Sequence, residues 1–411
     1  MIEIFAFGVV LLIAVLVSGL AHRSILSTAV IFLVAGYLLS GDMLGVVNVT
    51  SDDPVLAQFV ELALFAVLFT DGMLIGFRDL RTSWRLPGRA LLLGMPLTFL
   101  LLTLFAYALF DLTWAEALLI GAVLSPTDPV FASAIVGRQE VPLRLRRMLN
   151  VESGINDGLA LPVVVILLSV IGGESVHYDE IILEVLLGVA IGVVVPFLAL
   201  RLERTNLFSA ELVYEPLNTF AIGLLVFSIA ALTHANPFLA AFAAGITVST
   251  VAPRFRDAFH HFGELIAELL KLAALFLFGA LITFSFVTDI GWAGLLFALL
   301  MLAVSRPLVI LLVLVHSGLT WREKFAAMWF GPKGFASVAY GLLILGTAVQ
   351  NFDFVNNDRE FIFHVIAVAI VISILAHSST DVVVADWFVQ DDPPLSELEY
   401  EVQALTEDDG G

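Results

Sequence analysis

Apolar residues in this chain come in long blocks, not at the two-residue period of a half-buried strand, and the blocks recur from Met1 to Ser378. Each is close to the roughly 20 residues that a helix needs to cross about 30 Å of hydrocarbon. The pattern predicts thirteen helical spans, over residues 1–21, 25–40, 55–77, 90–110, 115–136, 149–172, 181–200, 217–232, 238–251, 265–284, 292–315, 325–349 and 361–378. A transmembrane barrel would show weak alternating segments of about ten residues instead. The expected fold class is an all-α polytopic membrane protein, with residues 1–378 in the membrane domain and 379–411 as a tail.

Composition agrees with the pattern. At 60% hydrophobic and 14% charged, 411 residues hold too little polar surface to coat a soluble globule. The first run has Glu3 before it and His22-Arg23 after it, the reverse of a cleaved signal peptide, so it is expected to remain as a span. No cysteine occurs, which removes disulfides and thiolate–metal sites, and the eight histidines are scattered without metal-ligand spacing. The net charge of −19 says little about topology, because orientation follows Lys and Arg. Fifteen of the nineteen basic residues fall on alternate connections and only Arg359 on the others. That asymmetry predicts an N-terminus outside the cell membrane and a cytoplasmic C-terminus.

The tail carries acids and no basic residue, and is expected to be flexible. The amphipathic stretch Pro253 to Glu268 reads equally as an interfacial helix before the next span and as an ordinary loop. Membrane lipid is the surrounding partner; no nucleic-acid partner and no cofactor is expected.

Two places set polar chemistry inside the apolar pattern. In span five, Ser125-Pro126-Thr127-Asp128-Pro129 holds two prolines, which remove backbone donors and release carbonyls of the preceding turn. Irregular backbone at that depth is tolerated where it is buried in protein or lines a cavity. Released carbonyls beside the Asp128 carboxylate form an oxygen-rich site suited to a small desolvated cation. In span six, Asn150 to Gly158 places Ser153 and Asp157 on one helix face, with Asn156 beside them and Glu152 one turn from Asn156. A charge at mid-membrane costs roughly 2.5–3.5 kcal/mol on insertion scales, so function is the default reading. If spans five and six pack together, Asp128, Asp157 and the Ser153 hydroxyl converge. Two carboxylates that close share either protons or a metal cation.

Arg306, before Pro307, is the natural partner of Glu152, since each buried charge neutralises the other. Lys333, in Gly331-Pro332-Lys333-Gly334, marks a second break, where it either counters helix-end charges or snorkels to the inner interface. Asp71 reads as an acid at the cytoplasmic mouth of the same cavity, or as half of a surface ion pair with the arginines that follow it. Lys271 reads as helix-end pairing with Glu268 or Glu264.

These residues resemble the monovalent cation/proton antiporters of the sodium/proton exchanger type. The resemblance rests on Thr127-Asp128-Pro129, Glu152 to Gly158, Arg306 before a proline, Gly331 to Gly334, and Val34 to Leu39. It implies inverted repeats, with crossed and partly unwound helices at spans five and twelve. It also implies a homodimer built from a core (about 90–172 and 292–378) and a dimerisation domain (about 1–77 and 181–284). By matching positions, sodium would bind at Asp128, Asp157, Ser153 and the Thr127 backbone, supported by Asn156, Glu152 and Arg306. The Asn156-Asp157 pair is similar to that of the electroneutral branch, which exchanges one sodium, or lithium, for one proton. Lys333 departs from the arginine common in the family, and the two are not interchangeable where planar bidentate contacts count. The long regulatory tail of animal exchangers is missing, so elaborate regulation is not expected.

Three rivals are weighed. Potassium/proton exchange uses the same ligand types. An intramembrane aspartyl protease also needs two aspartates, but no Gly-x-Gly-Asp surrounds either one, and Asp128 is clamped by Pro129. A channel fits poorly, since a carboxylate pair with a neutralising network suits tight single-ion binding.

Overall fold

The computed structural model describes residues 2–21, 27–50, 53–74, 85–128, 135, 138, 140–171, 178–203, 211–345 and 358–389. Among them the regular elements are helical: α1 (Ile2–Ala21), α2 (Thr28–Leu39) and α3 (Pro54–Leu74), then α4 (Arg85–Arg89), which continues through a π turn (Ala90–Gly94) into α5 (Met95–Leu109). There follow α6 (Trp114–Leu124), α7 (Leu143–Ile171), α8 (Tyr178–Glu203), α9 (Glu215–Leu232), α10 (Pro237–Val251) and α11 (Pro253–Leu281). Next, α12 (Phe284–Leu300) runs through a second π turn (Met301–Ser305) into α13 (Arg306–Val313). The last four are α14 (Trp321–Trp329), α15 (Phe335–Leu345), α16 (Asp358–Ser378) and α17 (Asp381–Val389). Among the described residues, seven helices are long and apolar enough to cross a membrane, and five shorter apolar helices accompany them.

The order of elements repeats. Helix–π turn–helix (α4 to α5) is followed by the capped half-helix α6, a break, and the long α7. Helix–π turn–helix (α12 to α13) is likewise followed by the capped half-helix α14, a break, α15 and α16. Both half-helices open on the same device. Thr113 caps α6 and bonds Glu116, and Thr320 caps α14 and bonds Glu323, each a reciprocal capping box that satisfies two orphan N–H donors. Bundle packing is close where glycines allow it. A Cβ at Gly72 of α3 or at Gly245 of α10 would strike the other helix's backbone, and the same holds for Gly36 of α2 against Gly279 of α11.

Several sequence expectations change. The amphipathic stretch from Pro253 is neither a separate interfacial helix nor a loop: it is the first half of α11, continuous to Leu281. Span six begins at Leu143, six residues before its predicted start, because the arginines of the connection lie within the helix. The second break falls where it was expected: span twelve is two half-helices with irregular backbone over 330–334 between them. The tail is not uniformly flexible. Residues 381–389 form α17, which buries Val384, Ala385 and Phe388 against Leu145, Val313 and Phe330. Residues 390–411, Pro129 and the arginines at 23, 78, 81 and 204 lie outside the described residues.

Candidate ion-binding site

The break after α6 exists because Pro126 cannot continue the ladder, and the backbone over 126–128 is irregular and buried. Polar groups freed there find partners on α7, in the second break and on α15. The Ser153 hydroxyl donates to the Thr127 carbonyl at 2.6 Å, and Asn156 Nδ2 donates to Thr127 Oγ1 at 2.9 Å. The Asp128 N–H donates to the Pro332 carbonyl at 2.9 Å, and the Phe335 N–H donates to Asp128 Oδ2 at 3.3 Å. Lys333 Nζ donates to the Pro126 carbonyl at 3.3 Å. The two interrupted helices are thus stitched to each other through their irregular segments. Ser337 of α15 adds a bond to the Val123 carbonyl at 2.7 Å, on the last turn of α6.

Glycine makes the crossing possible. A Cβ at Gly334 would collide with the Asp128 side chain, and one at Gly331 would collide with the Arg306 guanidinium. Lys333 is 3% exposed, which overturns snorkelling and leaves the compensation of carbonyl charge as its place in the structure. Its N–H is also held, by Ser373 of α16 at 2.9 Å.

Arg306 and Glu152 meet as expected. The guanidinium donates twice, at 2.7 and 3.1 Å, and both side chains are buried. Such a bidentate pair fixes α13 against α7 one turn from Asn156. Asp157 differs from its neighbours. Its backbone carbonyl accepts from Tyr340 at 2.7 Å, but its buried Oδ1 has no hydrogen-bond partner. Asn156 Oδ1 is likewise buried without a partner. A bare carboxylate oxygen in a water-poor interior requires a proton or a cation. Among the described residues, no three His, Asp or Glu side chains converge as a resident metal ion would require. The oxygen set is two carboxylates, a hydroxyl and released carbonyls.

Asp71 belongs to the same electrostatic neighbourhood: Asp157, Asp128 and Lys271 all act on it. Among the described residues Lys271 is a cation facing it. Sequence reasoning paired Lys271 with an acid on its own helix and did not connect it with Asp71, Asp128 and Asp157. The lysine is not at a helix end but two or more turns inside α11, within electrostatic reach of Asp128, Asp71, Glu268 and Asp157. Helix spacing alone gave Glu268 and Glu264 as partners, because nothing local in the sequence says that α11 packs against α3 and α15. Asp71, Glu268 and Lys271 are partly exposed whereas Asp128 and Asp157 are buried, so the former three stand on the accessible side of the cluster.

The structure superposes on the sodium proton antiporter MjNhaP1 from Methanocaldococcus jannaschii with a TM-score of 0.76, covering 95% of this chain and 99% of that one at 17% identity, a likeness of fold alone. Residues 9–385 match the family described as "Sodium/hydrogen exchanger, transmembrane", and the chain belongs to that family. Among its relatives, the K(+)/H(+) antiporter NhaP2 of Shewanella sp. (strain MR-4) is 25% identical over 333 residues, 78% of this chain and 57% of that protein. The K(+)/H(+) antiporter NhaP of Alkalimonas amylolytica is 24% identical over 404 residues, 96% of this chain and 68% of that protein. The chain thus spans a little over half the length of the Shewanella relative.

Proposed function

We propose that this chain is a secondary active transporter that exchanges sodium for protons across the cell membrane by alternating access, one for one. The observation that carries this reading is the buried Asp157 oxygen without a partner, set beside Asp128 in a break whose backbone oxygens are also at hand. Asp157 and Asp128 hold the cargo, the Ser153 hydroxyl and the Thr127 carbonyl complete its shell, and Asn156, Glu152 and Arg306 keep the shell in shape. Proton and cation compete for the same carboxylates, so loading one expels the other. The partly exposed Asp71 lies near the C-terminal end of α3, which the basic-residue pattern assigns to the cytoplasm, so the cluster opens inward. The same reading makes the protein a homodimer with its N-terminus outside, a transporter and not an enzyme. Sodium-driven pH change in vesicles of the purified protein should vanish in Asp157→Asn; exchange at the wild-type rate would refute the assignment.

Potassium is the second reading of the cargo, favoured by the names of the two relatives above. Comparing sodium, lithium and potassium in the same vesicles decides between them.

A further inference from the structure

Lys271 has no part in the binding shell above, yet it is the cation that faces it from outside the two breaks. It sits on α11, which packs against α3, the helix of Asp71, and against α15, whose first N–H holds Asp128 and whose Tyr340 holds Asp157. Four acids lie within electrostatic reach of its ammonium: Asp71 on α3, Asp128 in the first break, Asp157 on α7 and Glu268 on its own helix. Glu268 and Asp71 also reach Asp128, so these acids share one field. Of the other helices packed on α11, α2 and α10 carry no charged residue, and the Glu215 of α9 is engaged by Arg254.

These acids do not converge as ligands of a resident metal, but carboxylates that share one field, with carbonyls beside them, attract a divalent cation more strongly than a monovalent one. A site for sodium or potassium must refuse calcium and magnesium, which are abundant and interact twice as strongly with the same negative field. We propose that Lys271 is the fixed positive charge that makes this discrimination and holds the Asp71, Asp128 and Asp157 cluster to singly charged cargo. A tethered charge repels a divalent ion with twice the energy that it spends on a monovalent one, so its effect on selectivity is multiplicative. This inference rests on the cation/proton exchange proposed above.

The prediction has a numerical signature. In Lys271→Met, sodium and potassium should bind about tenfold more tightly, and calcium and magnesium about a hundredfold, the square of the monovalent factor, as a unit charge acting through an intermediate dielectric would give. Binding is read on the purified full chain by thermal-shift titration with the chlorides of the four cations, and exchange is read in vesicles with calcium as inhibitor. Lys271→Arg should behave as the wild type. A role in packing alone would move all four cations equally. The inference is overturned if calcium tightens no more than sodium, or if neither tightens. Should Lys271→Met fail to insert, Lys271→Gln is scored by the same ratio. Wild-type exchange with unchanged discrimination in the variants sinks this inference and spares the transport reading; shifted discrimination without wild-type exchange does the reverse.

Discussion

Glu152 and Arg306 show what a buried charge pair does for a site that it does not touch. Both are buried, and two bonds join them, so removing one leaves the other stranded. Arg306→Ala should cost about 3–5 kcal/mol, seen as a large drop in thermal unfolding temperature in detergent, while Glu152→Leu combined with Arg306→Met should recover much of the loss. Ser153→Ala removes the donor to the Thr127 carbonyl, and the apparent KM for the transported cation should rise about tenfold with kcat largely retained. Most of these residues were legible in the sequence for a physical reason: a charge or carboxamide in an apolar run is too costly to be incidental, which singled out Asp128, Glu152, Asn156, Asp157 and Arg306. Lys271 was visible on the same grounds, and Glu268 does act on it, but its helix-end placement and its missing link to Asp71, Asp128 and Asp157 needed the structure. The helical repeat fixes neighbours on one helix and says nothing about which helix lies opposite. The depth of Lys333 was undecidable for the same reason, since a lysine stem reaches either way until its neighbours are known.

The two interrupted helices explain how irregular backbone is accommodated at the site. Irregular segments lose ladder bonds, and here each segment supplies what the other lacks, through Asp128 to Pro332 and through Lys333 to Pro126. Gly334→Ala, which pushes a methyl group into Asp128, should abolish exchange, whereas Gly154→Ala, which meets open space on α7, should leave it within about twofold of wild type. Thr113→Ala removes one capping box and should cost about 1 kcal/mol in stability without changing ion selectivity. The prolines announced both breaks, and the capping boxes are readable as Thr113-x-x-Glu116 and Thr320-x-x-Glu323 once the helix starts are known. Helix ends were less legible. Reading by apolar content stops a helix where arginine begins, but α7 and α11 continue through Arg146 and Arg256, which need only be beyond the hydrocarbon, not beyond the helix. The π turns left no trace, since widening one turn changes hydrogen-bond partners and not the residue types that tolerate it.

For the whole molecule, the basic residues told more than the acidic excess. The absence of cysteine makes the topology directly testable: in Asp111→Cys and His316→Cys, both at exposed positions, an impermeant maleimide applied to intact cells should label residue 111 and spare 316. The expected division into a core and a dimerisation domain comes from the resemblance alone, because such a division depends on which helices exchange close contacts. Those contacts are set by glycines such as Gly72 and Gly245, whose role appears only when α3 and α10 are seen side by side. The cross-bonding of the two breaks carries one last implication. Asp128, Lys333 and the carbonyls that they engage are tied into one unit, so in the alternating access proposed above the site would travel without being rebuilt and would offer the same oxygens to both solutions. A carrier of that kind has no rectifier. Half-saturating cation concentrations measured from the two faces, in right-side-out and inverted vesicles at matched pH, should agree within about threefold. The direction of net flow would then belong to the gradients the cell maintains and not to the protein.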